Sequence, residues 1–135
     1  ALYDASYNAV ESIRRYGQSL SQHHFDVNGI VFVITDGEDN ASKMTAKSVK
    51  KALNDVVQEE YLESMISVLV GVNVRSKSLS YTLKSFGKKT GFTHYIQLDH
   101  ANETTLASLA DFVSRSIMMQ STALNTGAAS TLLTF

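Results

Sequence analysis

Cysteine and proline are both missing from this 135-residue sequence. Without cysteine, disulfides, thiolate catalysis and zinc–thiolate sites are excluded. Long apolar runs are missing too, because the longest extends only from Ile30 to Ile34 and a bilayer span needs roughly 20 apolar residues. No charge of one sign dominates, since 12 basic and 13 acidic residues give a formal net charge of -1. We therefore expect neither a membrane nor a nucleic acid as a partner.

The length and the 44% hydrophobic content predict one soluble domain with one core. We predict a cytoplasmic location, which suits a chain without cysteine, and leave an extracellular location open. The sequence starts with Ala1 rather than Met, inside a predicted helix. We therefore expect further sequence before it in the natural protein.

Helical and extended patterns alternate along the chain. Apolar residues at helical spacing predict four helices, and short apolar runs predict strands at 29–35, 65–74 and 92–98. The first two strands are apolar on both faces, as central parallel strands are when helices cover both faces. The third alternates, which favours a place near an edge. The order α-β-α-β-α-β-α predicts an α/β fold with a mostly parallel sheet.

Local signals mark several helix ends. Thr45 and Asn102 are predicted N-caps, and Gly91 is a predicted C-terminal stop. Asp111 and Arg115 are spaced to form an i,i+4 ion pair on the last helix. Residues 1–119 are predicted to form the domain, and residues 120–135 a small, polar tail that is either mobile or docked through Leu132, Leu133 and Phe135.

The strand at 29–35 poses a problem of pairing. It is as apolar as any strand in the chain, and soluble proteins avoid unpaired hydrophobic edges. We therefore predict a further strand beside it, from upstream sequence or from another chain. Pairing of this strand with its counterpart in a dimer is the alternative.

Three segments together resemble a known family. They are ALYDA at 1–5, VFVITDGEDN at 31–40 and VLVGV at 68–72. In this order they are similar to the von Willebrand factor A (vWA) domain, and the resemblance covers the chain to about Ile117. It implies a three-layer, Rossmann-like fold with a mostly parallel central sheet, here lacking its first strand. That missing strand would be the neighbour of 29–35.

The resemblance also implies a metal-ion-dependent adhesion site. Many vWA domains bind a divalent ion through an Asp-x-Ser-x-Ser motif, a Thr on a second loop and the Asp of a TDG turn. Here Asp36 matches the last of these, whereas no Asp-x-Ser-x-Ser motif occurs and the Thr would precede Ala1. The implied cofactor is Mg²⁺, with Mn²⁺ or Ca²⁺ as alternatives. The site in this chain alone is incomplete, because magnesium takes six oxygen ligands.

The acidic loop leaves alternatives open. Asp36 is either a metal ligand or a turn former whose carboxylate accepts nearby backbone N–H groups. Gly37 is expected to allow a tight turn beside it and is, with the three residues that follow, a candidate for partner binding. Glu38, Asp39 and Asn40 either extend the site toward a partner or form a solvated acidic loop.

These patterns favour a binding module over an enzyme. Neither a G-x-G-x-x-G loop nor a G-x-S-x-G elbow occurs. The expected function is protein–protein interaction of vWA type, with the ion of the intact domain bridging to an acidic residue of the partner. The alternatives are a metal-independent assembly domain that packs through strand 29–35, and a Rossmann-like hydrolase using Asp36.

Overall fold

The computed structural model describes residues 1–37, 39, 41–126 and 135. Helices and strands alternate along these residues as the sequence predicts. The elements are α1 (Leu2–Gln22), β1 (Asn28–Thr35), α2 (Ala46–Gln58), β2 (Ser64–Gly71), α3 (Lys77–Thr90), β3 (His94–Gln97) and α4 (Glu103–Thr126).

The three strands of the described residues form one open, all-parallel sheet in the order β1-β2-β3. Asn28 pairs with Ser64 at the start of β1 and Thr35 with Gly71 at its end, so β1 and β2 pair over their full length. Only the second half of β2 pairs with β3. The central position predicted for β2 and the edge position predicted for β3 are confirmed. β1 forms the other edge of the sheet.

Helices cover both faces of the sheet, which makes three layers. On one face, α1, α2 and α3 pack over β1 and β2 around Val33 and Leu69. On the other face α4 packs through Leu109 and Phe112 over a second core that includes Val68. The predicted α/β, Rossmann-like class is therefore confirmed, and its parallel strands end at one common edge.

The predicted helix ends are present. The Thr45 hydroxyl accepts a hydrogen bond from Ser48 N–H at 3.2 Å, and Asn102 Oδ1 accepts one from Thr105 N–H at 2.9 Å. Gly91 closes α3 with φ 92°, a left-handed conformation in which glycine avoids the steric cost of a Cβ. Thus the sequence signals for capping predicted local structure correctly.

Helix α4 extends beyond the predicted domain boundary at residue 119. It continues to Thr126 and buries Gln120 and Ala123 in its added turns. Residues 127–134, with the predicted docking residues Leu132 and Leu133, lie outside the described residues. Phe135 meets Phe112 edge to face, with ring centroids 5.2 Å apart. The division into domain and tail stays a prediction.

None of the helices formed by the described residues has the length and apolar character needed to cross a membrane.

Candidate functional site

Asp36 lies at the carboxyl end of β1, where it is exposed to solvent. Its carboxylate makes no hydrogen bond with any residue that the structure describes. The turn is held instead by Thr35, whose hydroxyl donates to Gly37 O at 2.9 Å and accepts from Gly37 N at 3.3 Å. The turn-forming alternative for the Asp36 side chain thus has no support, and its oxygens are accessible to a ligand.

Gly37 does not have the conformation that would make glycine necessary. Its φ lies outside the left-handed region, and a Cβ added to it would meet no atom within 4 Å. The expectation that Gly37 is needed for a tight turn is therefore not supported by its geometry. An alanine fits at this position.

Asp39 faces inward and serves as a cap on α1. Its side chain is 8% exposed, and Oδ1 accepts a hydrogen bond from Tyr3 N–H at 2.9 Å. The Ala1 nitrogen and the Ser42 hydroxyl also donate to Oδ1. A carboxylate there satisfies N–H groups that have no partner within the helix.

Asp4 makes the reciprocal contacts from α1 to the loop. Its carboxylate accepts hydrogen bonds from Lys43 N–H at 3.1 Å and Met44 N–H at 2.7 Å. Its own N–H donates to Ser42 Oγ at 3.1 Å. We call this set of contacts, built on Asp4, Asp39 and Ser42, the α1 clamp. It fixes the loop after Asp36 against the first turn of α1.

Hydrogen bonding keeps both clamp carboxylates ionised. Burial by itself would raise the pKa of Asp39, but the hydrogen bonds from the Ala1 nitrogen, Ser42 and Tyr3 outweigh burial and hold that pKa well below its ordinary value. The backbone N–H groups of Met44 and Lys43 lower the pKa of Asp4. Both carboxylates are already engaged inside the protein. This placement gives no support to Asp39 as a partner-binding residue.

The donor set around Asp36 does not fit a divalent ion by itself. Within the described ranges, no group of three or more carboxylate or imidazole side chains is placed to share a metal. Mg²⁺ and Mn²⁺ favour octahedral oxygen shells, and Ca²⁺ takes six to eight oxygens. Asp36 supplies one carboxylate toward such a shell. Glu38 and Asn40 lie outside the described residues.

Two grooves follow the β1 edge on the side of α1. One, of about 330 Å³, lies beside Asp36 between Leu2 and Ala5 of α1 and the end of β1. The other, of about 480 Å³, lies at the amino end of β1, against Ile13 and Tyr16. Their walls are mainly apolar. The open strand edge is thus flanked by concave surface.

Sequence reasoning missed Ser42 and the capping role of Asp39. The local signal was the Asp39-x-x-Ser42 spacing, in which Ser42 N–H also donates to Asp39 Oδ2 at 3.4 Å. Its target, the start of α1, is 36 residues away from Asp39 along the chain. Short-range patterns contain no information on such a contact.

Two other groups of polar side chains lie on the surface. His23 and His24 are exposed, and His23 Nδ1 lies 2.8 Å from Ser19 O of α1. On α2, Lys51 pairs with Asp55 at 2.8 Å. These positions agree with solvated faces.

No protein-family model matches this chain, and neither a curated protein nor a solved structure is significantly similar to it.

Proposed function

We propose that this chain is a protein-interaction module of vWA type, which meets its partner at the carboxyl edge of the sheet around Asp36. The observation that carries the proposal is an exposed carboxylate at the end of a buried strand. It makes no internal hydrogen bond among the described residues and stands beside a groove. Ligands of open α/β sheets bind at such strand ends. The quoted vWA-like segments support a protein as the ligand.

The α1 clamp supports a binding role for the loop. A loop fixed before binding loses less conformational entropy when the partner arrives. Four backbone N–H groups, from Tyr3, Asp4, Lys43 and Met44, are tied up by side chains of the clamp. Asp36 thus directly follows β1 and lies three residues before Asp39, which contacts the start of α1.

A metal bridge is the mode that the resemblance implies. A divalent ion would link the Asp36 carboxylate to an acidic residue of the partner. The described residues of this chain do not complete the shell, so further oxygen ligands would have to come from outside them. The proposal therefore depends on the Asp36 carboxylate and leaves the ion as an outcome of the test.

The test uses the full-length protein with Asp36→Ala and, as matched control, Asp26→Ala in the exposed loop before β1. Quantitative affinity capture compares the proteins retained by each form, with and without chelator. We expect a partner to be lost by Asp36→Ala and kept by Asp26→Ala. Loss of the same partner from the unmodified protein on addition of chelator would also support a metal bridge. A partner set unchanged by Asp36→Ala would contradict the proposal.

A second candidate is assembly through the β1 edge without metal. The observation in its favour is an edge strand of eight residues with Ile34 52% exposed and grooves at both ends. An added strand would pair with the open edge through its backbone. The same edge would also serve self-association.

Ile34→Lys tests this candidate, because an edge lysine opposes strand pairing. His94→Lys places the same charge on the exposed start of β3 and is the control. Sedimentation at increasing concentration measures self-association. We expect Ile34→Lys to weaken it by about tenfold or more, equal to about 1.4 kcal/mol. Equal behaviour of the two variants, or a wild-type chain that remains monomeric throughout, would exclude self-association through β1.

A further inference from the structure

Another concave surface lies away from Asp36, between the carboxyl ends of β2 and β3. Its volume is about 540 Å³, which suits a small molecule. The chain leaves β2 for α3 on one face of the sheet and leaves β3 for α4 on the opposite face. The two loops therefore diverge and open a crevice. In open α/β sheets, ligands bind in crevices outside the carboxyl ends of the strands.

The walls of this β2–β3 crevice are fixed in place. Val74 N–H donates to Leu98 O at 3.1 Å, and Leu98 N–H donates to Gly71 O at 2.8 Å. Asn73 Oδ1 accepts a hydrogen bond from Ala101 N–H at 3.2 Å, which joins the two diverging loops. The crevice exists before a ligand arrives, so binding requires little rearrangement.

The charge of the crevice is positive. Arg75, Lys77 and Lys84 line it, and none of the three forms an ion pair with a carboxylate of the described residues. Asp99 is the one carboxylate in the lining, which also includes His100. Three cationic side chains and one carboxylate leave a formal net charge of about +2. By contrast, Arg14, Lys51 and Arg115 elsewhere each have a carboxylate partner.

A neutral donor completes the lining. Gln97 Oε1 accepts hydrogen bonds from Ser80 Oγ at 2.7 Å and from Tyr95 Oη at 3.0 Å. Its oxygen is thus occupied, and the amide NH₂ is the group left to donate to a ligand. Cations together with an N–H donor favour an anion. The ring of Tyr81, 75% exposed in the same lining, offers an apolar surface beside it.

We propose that the β2–β3 crevice binds a small molecule carrying a phosphate monoester. A monoester has a charge of about -1.5 to -2 near pH 7, which matches the net charge of the crevice. The Arg75 guanidinium suits phosphate because it can donate two parallel hydrogen bonds. Lys77 and Lys84 add point charges, and the Gln97 amide adds a donor.

The test is NMR titration of the full chain with inorganic phosphate and with phenyl phosphate, at constant ionic strength. We expect saturable shifts of the amides at 75–77, 80 and 97. Tighter binding of phenyl phosphate would identify an organic monoester that uses the Tyr81 ring. Equal binding would identify recognition of the phosphate group alone.

Arg75→Gln and Lys84→Gln are the variants, and Lys50→Gln, on the exposed surface of α2, is the matched control. All three positions are exposed, so we expect each variant to keep the fold. We expect each crevice variant to weaken phosphate binding by about tenfold and Lys50→Gln to leave it unchanged. Shifts that do not saturate, that chloride reproduces, or that centre on α2 would overturn the proposal. So would equal losses in all three variants.

Discussion

The two edge strands of the sheet, β1 and β3, differ in length, burial and surroundings. β1 has eight residues, and Val31 and Val33 within it are 7% and 6% exposed. β3 has four residues, and none of them is buried. β1 touches helices on both faces of the sheet, whereas β3 contacts mainly α3. β1 is therefore an edge strand in its pairing but is buried like a central strand. β3 is an edge strand in its pairing and is also exposed.

This contrast bears on where the proposed partner would bind. A short, polar edge strand offers few backbone groups for pairing, so it has little tendency to pair with another chain. A long strand with a buried face offers a full row of them beside apolar surface. The grooves flanking β1 and the exposed Asp36 lie on this second kind of edge. We therefore place the proposed protein contact on the side of β1 opposite β2.

Matched aspartate substitutions in the two strands should have the largest and most unequal effects. Val33→Asp places a charge in the core beneath α1–α3, and we expect it to cost more than about 3 kcal/mol of unfolding free energy. His94→Asp at the exposed start of β3 should cost less than about 1 kcal/mol. Denaturant unfolding measures both. Similar losses would mean that the two edges do not differ in burial as described.

The loops that follow the two strands allow a second comparison. Asp39, after β1, caps α1, whereas Asp99, after β3, is exposed and makes no side-chain hydrogen bond with the described residues. Asp39→Ala should cost about 2 kcal/mol, since it removes a helix cap and leaves partly buried donors unpaired. Asp99→Ala should change stability by less than about 0.5 kcal/mol. Equal results from denaturant unfolding would remove the α1 clamp as a stabilising feature.

Local patterns predicted much of this fold. Strands β1 and β2 were recognisable from continuous apolar residues, although the predicted 65–74 runs three residues beyond Gly71, where β2 ends. The caps at Thr45 and Asn102 were recognisable from side chains that reach only three residues ahead. The predicted pair of Asp111 and Arg115 forms at 2.8 Å. Each of these features is decided within one turn or one strand. That is why the sequence alone was sufficient.

The remaining features depend on contacts that are distant in sequence. The buried face of α4 includes Ser116 and Gln120, which hydropathy would assign to solvent, while Ile117 is 48% exposed. The α1 clamp joins Asp39 to Tyr3 of α1, 36 residues earlier in the chain. The β2–β3 crevice requires knowledge of which face each helix covers. In the candidate site, the position and exposure of Asp36 were predictable from the sequence. The hydrogen bonding of the Asp39 carboxylate to α1 was not.

Lowering the pH should show how much the charge of Asp39 contributes to the difference in stability between the two loops. A carboxyl whose pKa is lowered in the folded state, as for Asp39, stabilises the protein above its ordinary pKa near 3.9. Because the unfolded chain then binds more protons, that contribution is lost progressively as the pH falls below about 4. Asp39→Asn keeps an oxygen acceptor for the cap but does not titrate, so its unfolding free energy should fall less steeply from pH 5 to pH 3 than that of the wild type. Denaturant unfolding between pH 5 and pH 3 measures both proteins, and equal slopes for Asp39→Asn and the wild type would show that the Asp39 charge does not stabilise the α1 clamp.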